Sequence, residues 1–168
     1  MPNNFSRRNF LLATASSALI PLVLPNESTA QTKDDCIFCK FGQNKAKYFK
    51  VWEDKDFLAF LDHKPINPGH TLLIPKKHFE YVFDLDKKNY TKILEHAREL
   101  SKPLKIAMDA KRIGVIVEGF GVNHVHIHLV PLKGGGELLK KGAVGVTDDE
   151  FAIVTDKIVA QVKVSSKK

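Results

Sequence analysis

Three histidines alternate with apolar residues in one run, His124-Val125-His126-Ile127-His128-Leu129-Val130-Pro131. An extended strand points successive side chains to opposite faces. His124, His126 and His128 therefore share one face, and Val125, Ile127 and Leu129 bury the other. At a rise of ~3.3 Å per residue, the outer two Cα atoms lie roughly 13 Å apart. A straight strand cannot bring all three to one metal. Neighbouring pairs, roughly 6.6 Å apart, can share a metal or act together on one phosphate. The plain alternative is the solvated face of an edge strand. The chain has 7 His in 168 residues, too few for three at this spacing to be a casual arrangement, so we read the face as functional.

The N-terminus bears on where the chain works. Ser6-Arg7-Arg8-Asn9-Phe10-Leu11-Leu12 puts an arginine pair before an apolar and small-residue stretch, Phe10 to Leu24. Ser28-Thr29-Ala30 offers small residues to a signal peptidase. Thr14, Ser16, Ser17 and Pro21 weaken the stretch as a membrane anchor, which points to an export signal. The pattern resembles a twin-arginine signal, with cleavage expected after Ala30 and an extracytoplasmic, periplasmic location for the product. Residues 31–168 then form one compact domain, with no membrane partner once residues 1–30 are removed. Loss of Arg7, Arg8 and Glu27 takes the formal charge from +7 to +6, which favours anionic ligands in general. The lysines are dispersed and no arginine-rich run interleaves with aromatics, so nucleic acid is not an expected partner.

Two cysteines stand in Cys36-Ile37-Phe38-Cys39. In an exported chain the default is a disulfide or redox pair. A closed zinc site needs two further ligands, and the histidines can supply them. Cargo of the twin-arginine type is exported folded, which lets thiolates take metal in the reducing cytoplasm first.

Periodicity gives the element order. Tyr48–Glu53 and Phe57–Leu61 read as strands around Asp54-Lys55-Asp56. Asp62 to Gly69 is a loop fixed by Pro65, Pro68 and Gly69, and His70–Pro75 is a third strand. Tyr90, Ile93, Leu94, Ala97, Leu100, Leu104 and Met108 recur at helical spacing, predicting a helix from about Lys87 to Ala110 that Pro103 kinks or interrupts. Ile113–Glu118 is a fourth strand and the histidine run a fifth. Thr147-Asp148-Asp149-Glu150 reads as a capping box opening a last helix to about Val162. One long inserted helix without regular strand–helix alternation argues an α+β fold with an antiparallel sheet.

These residues resemble the histidine triad superfamily of nucleotide hydrolases and transferases. The likeness lies in the His-x-His-x-His run, in Cys36-Ile37-Phe38-Cys39-Lys40, in Phe57-Leu58-Ala59-Phe60-Leu61-Asp62, and in Pro68-Gly69-His70-Thr71-Leu72-Leu73-Ile74-Pro75-Lys76-Lys77-His78. Together they cover most of Cys36 to Leu132. The resemblance implies a five-stranded α+β meander and a homodimer whose two sheets join. It implies that His126 is the nucleophile toward a nucleotide α-phosphate and that His128 contacts the phosphate oxygens. Asp62 matches the residue that holds the ribose hydroxyls, Ile37 and Phe38 match the base-pocket walls, and His70 matches a histidine near the triad. In members with Cys-x-x-Cys, a structural zinc is held by residues matching Cys36, Cys39, His78 and His124.

The chain also departs from the pattern. Many members carry a Gly-Gln-Ser-like stretch before the triad that contacts phosphate. Here the segment is Glu118-Gly119-Phe120-Gly121-Val122-Asn123, in which Asn123 is the partial substitute. The Trp-Pro-Pro-Gly-like tail of one branch is absent. No Walker-type glycine loop occurs, so phosphate chemistry here rests on imidazole. The expected function is hydrolysis or transfer at the α-phosphate of a nucleoside phosphoramidate or (di)nucleoside polyphosphate. The competing classes are an extracytoplasmic metal-binding protein and a silent nucleotide-binding module.

Replacing both Arg7 and Arg8 by lysine is expected to hold the precursor in the cytoplasm, as read by fractionation and immunoblotting. Normal export of that variant would instead indicate the general secretory route.

Overall fold

The computed structural model describes residues 35–166; the expected signal segment, residues 1–30, lies outside them. Five strands form one antiparallel sheet: β1 (Lys50–Glu53), β2 (Phe57–Leu61), β3 (Thr71–Pro75), β4 (Arg112–Ile116) and β5 (Ile127–Leu132). Three α-helices accompany them: α1 (Ile37–Gly42), α2 (Lys87–Ala107) and α3 (Asp148–Ser165). The α+β fold class is as the sequence implies.

The sheet order is β1-β2-β3-β5-β4, so the last two strands exchange places relative to a simple succession. The cause is α2. Its 21 residues span about 31 Å, enough to carry the chain across the sheet and set β4 down one strand beyond β3. The return strand β5 then fills the gap between them.

Each sheet face has its own core. Ala59, Leu73 and Ile127 lie in register across β2, β3 and β5, and their face packs on α2 and α3 with Ile93, Leu100, Leu104 and Ile158. Val125, Ile127 and Leu129 all belong to this cluster, as the alternation requires. The opposite row, Phe60, Leu72 and His128, faces α1, where Cys36, Phe38 and Cys39 join Leu58, Leu72 and Ile74. The regular strand starts only at Ile127, so His124 and His126 precede it. Val125 N–H donates to Phe79 O at 2.7 Å instead of to a strand partner. The alternation of faces nevertheless continues through all three histidines.

α2 runs unbroken through Pro103 and ends at Ala107, three residues before the expected boundary. Pro103 lacks the N–H that Glu99 O would accept, but it is buried and its burial outweighs that one missing bond. Asp86 caps α2 by accepting from Asn89 N–H. α3 opens with the expected capping box: Thr147 accepts from Glu150 N–H, and Glu150 accepts from Thr147 N–H. No helix among the described residues is long and apolar enough to cross a membrane.

The loop between β2 and β3 is held from two sides. Asn67 Nδ2 donates to Pro131 O at 2.8 Å, tying the loop to β5. Ala143 N–H donates to Pro65 O at 2.8 Å, and a Cβ on Gly142 would stand 2.2 Å from Lys64 O, so only glycine permits this approach. The segment before α3 thus straps down the loop that begins at Asp62.

Candidate active site

The histidine face divides between two clusters. His124 is fully buried, and its Nδ1 lies 3.4 Å from Cys36 Sγ and 3.6 Å from Cys39 Sγ. His78 Nδ1 lies 3.3 Å from Cys39 Sγ. All four ligand atoms fall within 4.8 Å of one another. Zn–S of ~2.3 Å and Zn–N of ~2.0 Å at a tetrahedral angle put sulfur and nitrogen ~3.5 Å apart, so the set fits a closed four-ligand zinc site. The tautomer agrees. His124 Nε2 lies 2.8 Å from Pro75 O, and a carbonyl only accepts, so Nε2 carries the proton and Nδ1 keeps its lone pair toward the sulfurs. Burial pushes the His124 pKa down to about 4, against the carbonyl bond that raises it.

His126, the middle histidine, is buried beside Phe38, whose ring centroid lies 5.3 Å from its own. Its Nδ1 lies 2.6 Å from His124 O. By the same reasoning Nδ1–H donates to that carbonyl, and Nε2 is left with a free lone pair. The His126 and His128 rings are 4.8 Å apart.

His128 ends a relay that starts on the backbone. Ile66 N–H donates to His70 Nδ1 at 3.1 Å, so the His70 proton sits on Nε2. His70 Nε2 lies 2.9 Å from His128 Nδ1 and donates to it. The His128 proton is thereby fixed on Nε2, where it is a donor. Asp62 Oδ2 stands 3.6 Å from His70 Nδ1 and 3.9 Å from His128 Nδ1, and Oδ1 accepts from Lys64 N–H at 2.9 Å. Asp62, His70 and His128 are close enough to suggest a second metal cluster. The relay argues otherwise, because it already commits both His70 nitrogens. Burial pushes the His70 pKa down to about 4, opposed by the Asp62 charge and aided by His128 and His126. Burial and then His126 also lower the His128 pKa, against Asp62 and Glu118.

A cavity of about 760 Å³ opens on His126 and His128 and is lined by Ile37, Phe38, Phe41, Phe60, Leu72 and Asp62, among others. Five expected site residues, Ile37, Phe38, Asp62, His126 and His128, thus share it. His70 is not on its wall. It is 2% exposed and acts through His128, so its place is behind the donor rather than against a ligand. Asn123 does not line the cavity either; Gly121 and Val122 do. His124 N–H donates to Val122 O at 2.7 Å, a tight turn with Asn123 at its apex. His96 is remote from the triad, between the rings of Trp52 and Phe57. The parts that sequence reasoning missed are backbone groups, namely His124 O, Pro75 O and Ile66 N–H, which no residue pattern announces.

The HIT domain family matches residues 43–135, and the chain belongs to that family. It is 37% identical over 118 residues to an uncharacterised HIT-like protein of Methanocaldococcus jannaschii, covering 67% of this chain and 92% of that one. It is 35% identical over 97 residues to the adenosine 5′-monophosphoramidase of Saccharomyces cerevisiae, covering 57% of this chain and 61% of the relative. Among solved structures, a hypothetical histidine triad nucleotide-binding protein of Sulfolobus tokodaii superposes with a TM-score of 0.69 at 26% identity, over 77% of this chain and 93% of that one. The family therefore includes nucleotide hydrolases.

The low His70 pKa sets a pH dependence. An unfolded histidine titrates near ~6.5, so between there and about 4 the unfolded chain binds a proton that the folded chain does not. This residue's contribution to stability is therefore full above the unfolded value and is lost as the pH drops through this window. Denaturant titrations at pH 7 and pH 4.5 should show His70→Gln losing less stability than wild type. Equal losses would contradict the assignment.

Proposed function

We propose that the chain is a hydrolase acting at the α-phosphate of a nucleoside phosphoramidate or (di)nucleoside polyphosphate. The observation that carries the reading is the tautomer pair. His126 Nε2 offers a lone pair to the cavity and His128 Nε2 offers a proton, each set by a hydrogen bond on the other ring nitrogen. A nucleophile beside an electrophilic donor is what phosphate displacement needs.

In this reading Ile37 and Phe38 flank the base, and Asp62 accepts from the ribose hydroxyls. His126 Nε2 attacks the α-phosphorus as the bond to the leaving amine or phosphate breaks, and the leaving group takes its electron pair and a proton from solvent. The imidazolium formed at His126 is stabilised by its Nδ1–H bond to His124 O. His128 Nε2–H stabilises charge on a non-bridging oxygen, with His70 holding its tautomer. Water then attacks phosphorus and gives up a proton to solvent, the P–N bond returns its electrons to His126, and the nucleoside 5′-monophosphate leaves. The phosphoramidase relative in yeast supports the substrate class.

Cys36, Cys39, His78 and His124 are the proposed zinc ligands, supported by donor distances that match a tetrahedral site. When bound, the metal supplies a cross-link among α1, the segment after β3 and the start of the histidine run. We further propose a homodimer through β4, one of the two outer strands, where Val115 is exposed and Val117, just after the strand, is exposed beside Tyr81, Phe83 and Leu94. The Arg7-Arg8 leader supports an extracytoplasmic location.

The experiment is turnover of adenosine 5′-phosphoramidate with a search for a nucleotidyl adduct by mass spectrometry. His126→Ala should lose several orders of magnitude in kcat while staying folded. His128→Ala should lose roughly 10²–10³-fold. Wild-type turnover by His126→Ala would sink the mechanism, and binding without turnover by wild type would indicate a silent module. Metal analysis of purified protein should give about one zinc per chain. A metal-free Cys36–Cys39 disulfide in freshly isolated protein would refute the zinc site.

A further inference from the structure

The cavity continues past Asp62 beyond the walls assigned to base and α-phosphate. It runs on to Lys47, Phe49 and Lys64, and to Asp148 and Phe151 of α3. α3 lies outside residues 43–135, so this chamber is built in part by a segment that the family match does not include. Its apolar floor is the stacked pair Phe49 and Phe151, with centroids 5.0 Å apart. Its rim is cationic. Lys47 Nζ stands 5.7 Å from the Phe49 centroid, Lys64 follows on the strapped loop, and His63 Nδ1 lies 3.5 Å from Asp62 Oδ1. The one carboxylate set against them from α3 is Asp148, paired with Lys47 at 2.5 Å. Both partners of that pair are about 70% exposed, at 72% and 68%, so it is weak and readily exchanged for another anion.

We propose that this chamber is a subsite for a phosphate ester on the ribose 2′- or 3′-hydroxyl, so that the preferred substrates are nucleotides phosphorylated there as well as at the 5′ position. The inference rests on the reading of Asp62 as the ribose residue and of His126 and His128 as the 5′-phosphate residues. A group on either secondary hydroxyl leaves the sugar at Asp62, where the chamber begins. The other hydroxyl remains for the Asp62 carboxylate. A phosphomonoester carries nearly two negative charges at neutral pH. Lys64 meets it directly, and Lys47 exchanges Asp148 for it.

The test is calorimetric binding of adenosine 5′-phosphate, adenosine 3′,5′-bisphosphate, adenosine 2′,5′-bisphosphate and adenosine 5′-diphosphate to the wild-type protein. Two exposed charge pairs are worth about tenfold in affinity, so one bisphosphate should bind about tenfold tighter than the 5′-phosphate, with a gap that shrinks at high salt. The Lys47→Ala and Lys64→Ala variants should each narrow that ratio, and Asp148→Asn should widen it. Equal or weaker binding of both bisphosphates overturns the inference, as does a ratio that neither lysine variant changes. So does a lysine effect seen with the 5′-diphosphate instead, which would put the chamber on the path of the leaving group. Failure of adenosine 5′-phosphate itself to bind overturns the nucleotide reading as well; its binding without a bisphosphate preference overturns this inference alone.

Discussion

His124 faces two ways, and much of the site depends on it. Its ring turns Nδ1 to Cys36 and Cys39 and donates from Nε2 to Pro75 O. Its backbone carbonyl accepts from His126 Nδ1. Displacing the ring from the sulfur cluster therefore moves the carbonyl that fixes the His126 tautomer. The buried cluster of α1 continues the same constraint, since Phe38 touches both the His124 and His126 rings. A buried polar residue with every atom committed tolerates little displacement, because each broken bond leaves an unsatisfied group in a dry interior.

The second histidine pair is organised by different means. His70 is oriented by Ile66 N–H, in a loop whose path is set by Asn67 on β5 and by Pro65 under the Gly142 strap. The two inputs to the cavity thus come from opposite sides. The sulfur cluster sets the lone pair of His126, and the loop sets the proton of His128. Neither ring needs to be charged. Burial favours neutral imidazoles at His70 and His128, and the proposed reaction asks for a lone pair rather than a charge at His126.

What the sequence disclosed follows from what side-chain patterns encode. Alternation separated the histidine face from the Val125, Ile127 and Leu129 face, and that separation survives even where hydrogen bonding is irregular, because it depends on burial rather than on strand pairing. The capping residues of α3 were legible because Thr147 and Glu150 satisfy backbone donors with their own side chains. Pro103 misled because propensity counts its missing N–H but not the core that holds α2 together around it. His70 and Asn123 stand off the cavity wall for a geometric reason. Proximity to the triad in sequence or family position does not say which side of a ring a residue occupies. The exchange of β4 and β5 is set by where α2 lands, which is a length-and-packing outcome that no local motif carries.

The C-terminal segment shows the same limit and what lies beyond it. Read locally, Thr147 to Ser165 is an amphipathic helix with a good start and nothing to do with phosphate chemistry. In three dimensions Phe151 stacks on Phe49, and Asp148 meets Lys47 at the mouth of the cavity. Ala143 N–H, next to Gly142, holds the Asp62 loop through Pro65 O. The histidines can select a phosphate but not the rest of a nucleotide, because their contacts end at the reacting group. Any discrimination among ligands must come from the walls, and two of those walls, α1 and α3, lie outside residues 43–135. In the proposed reading, the histidine run and the segment that lengthens the cavity beyond it are separate parts of this chain, meeting beside Asp62.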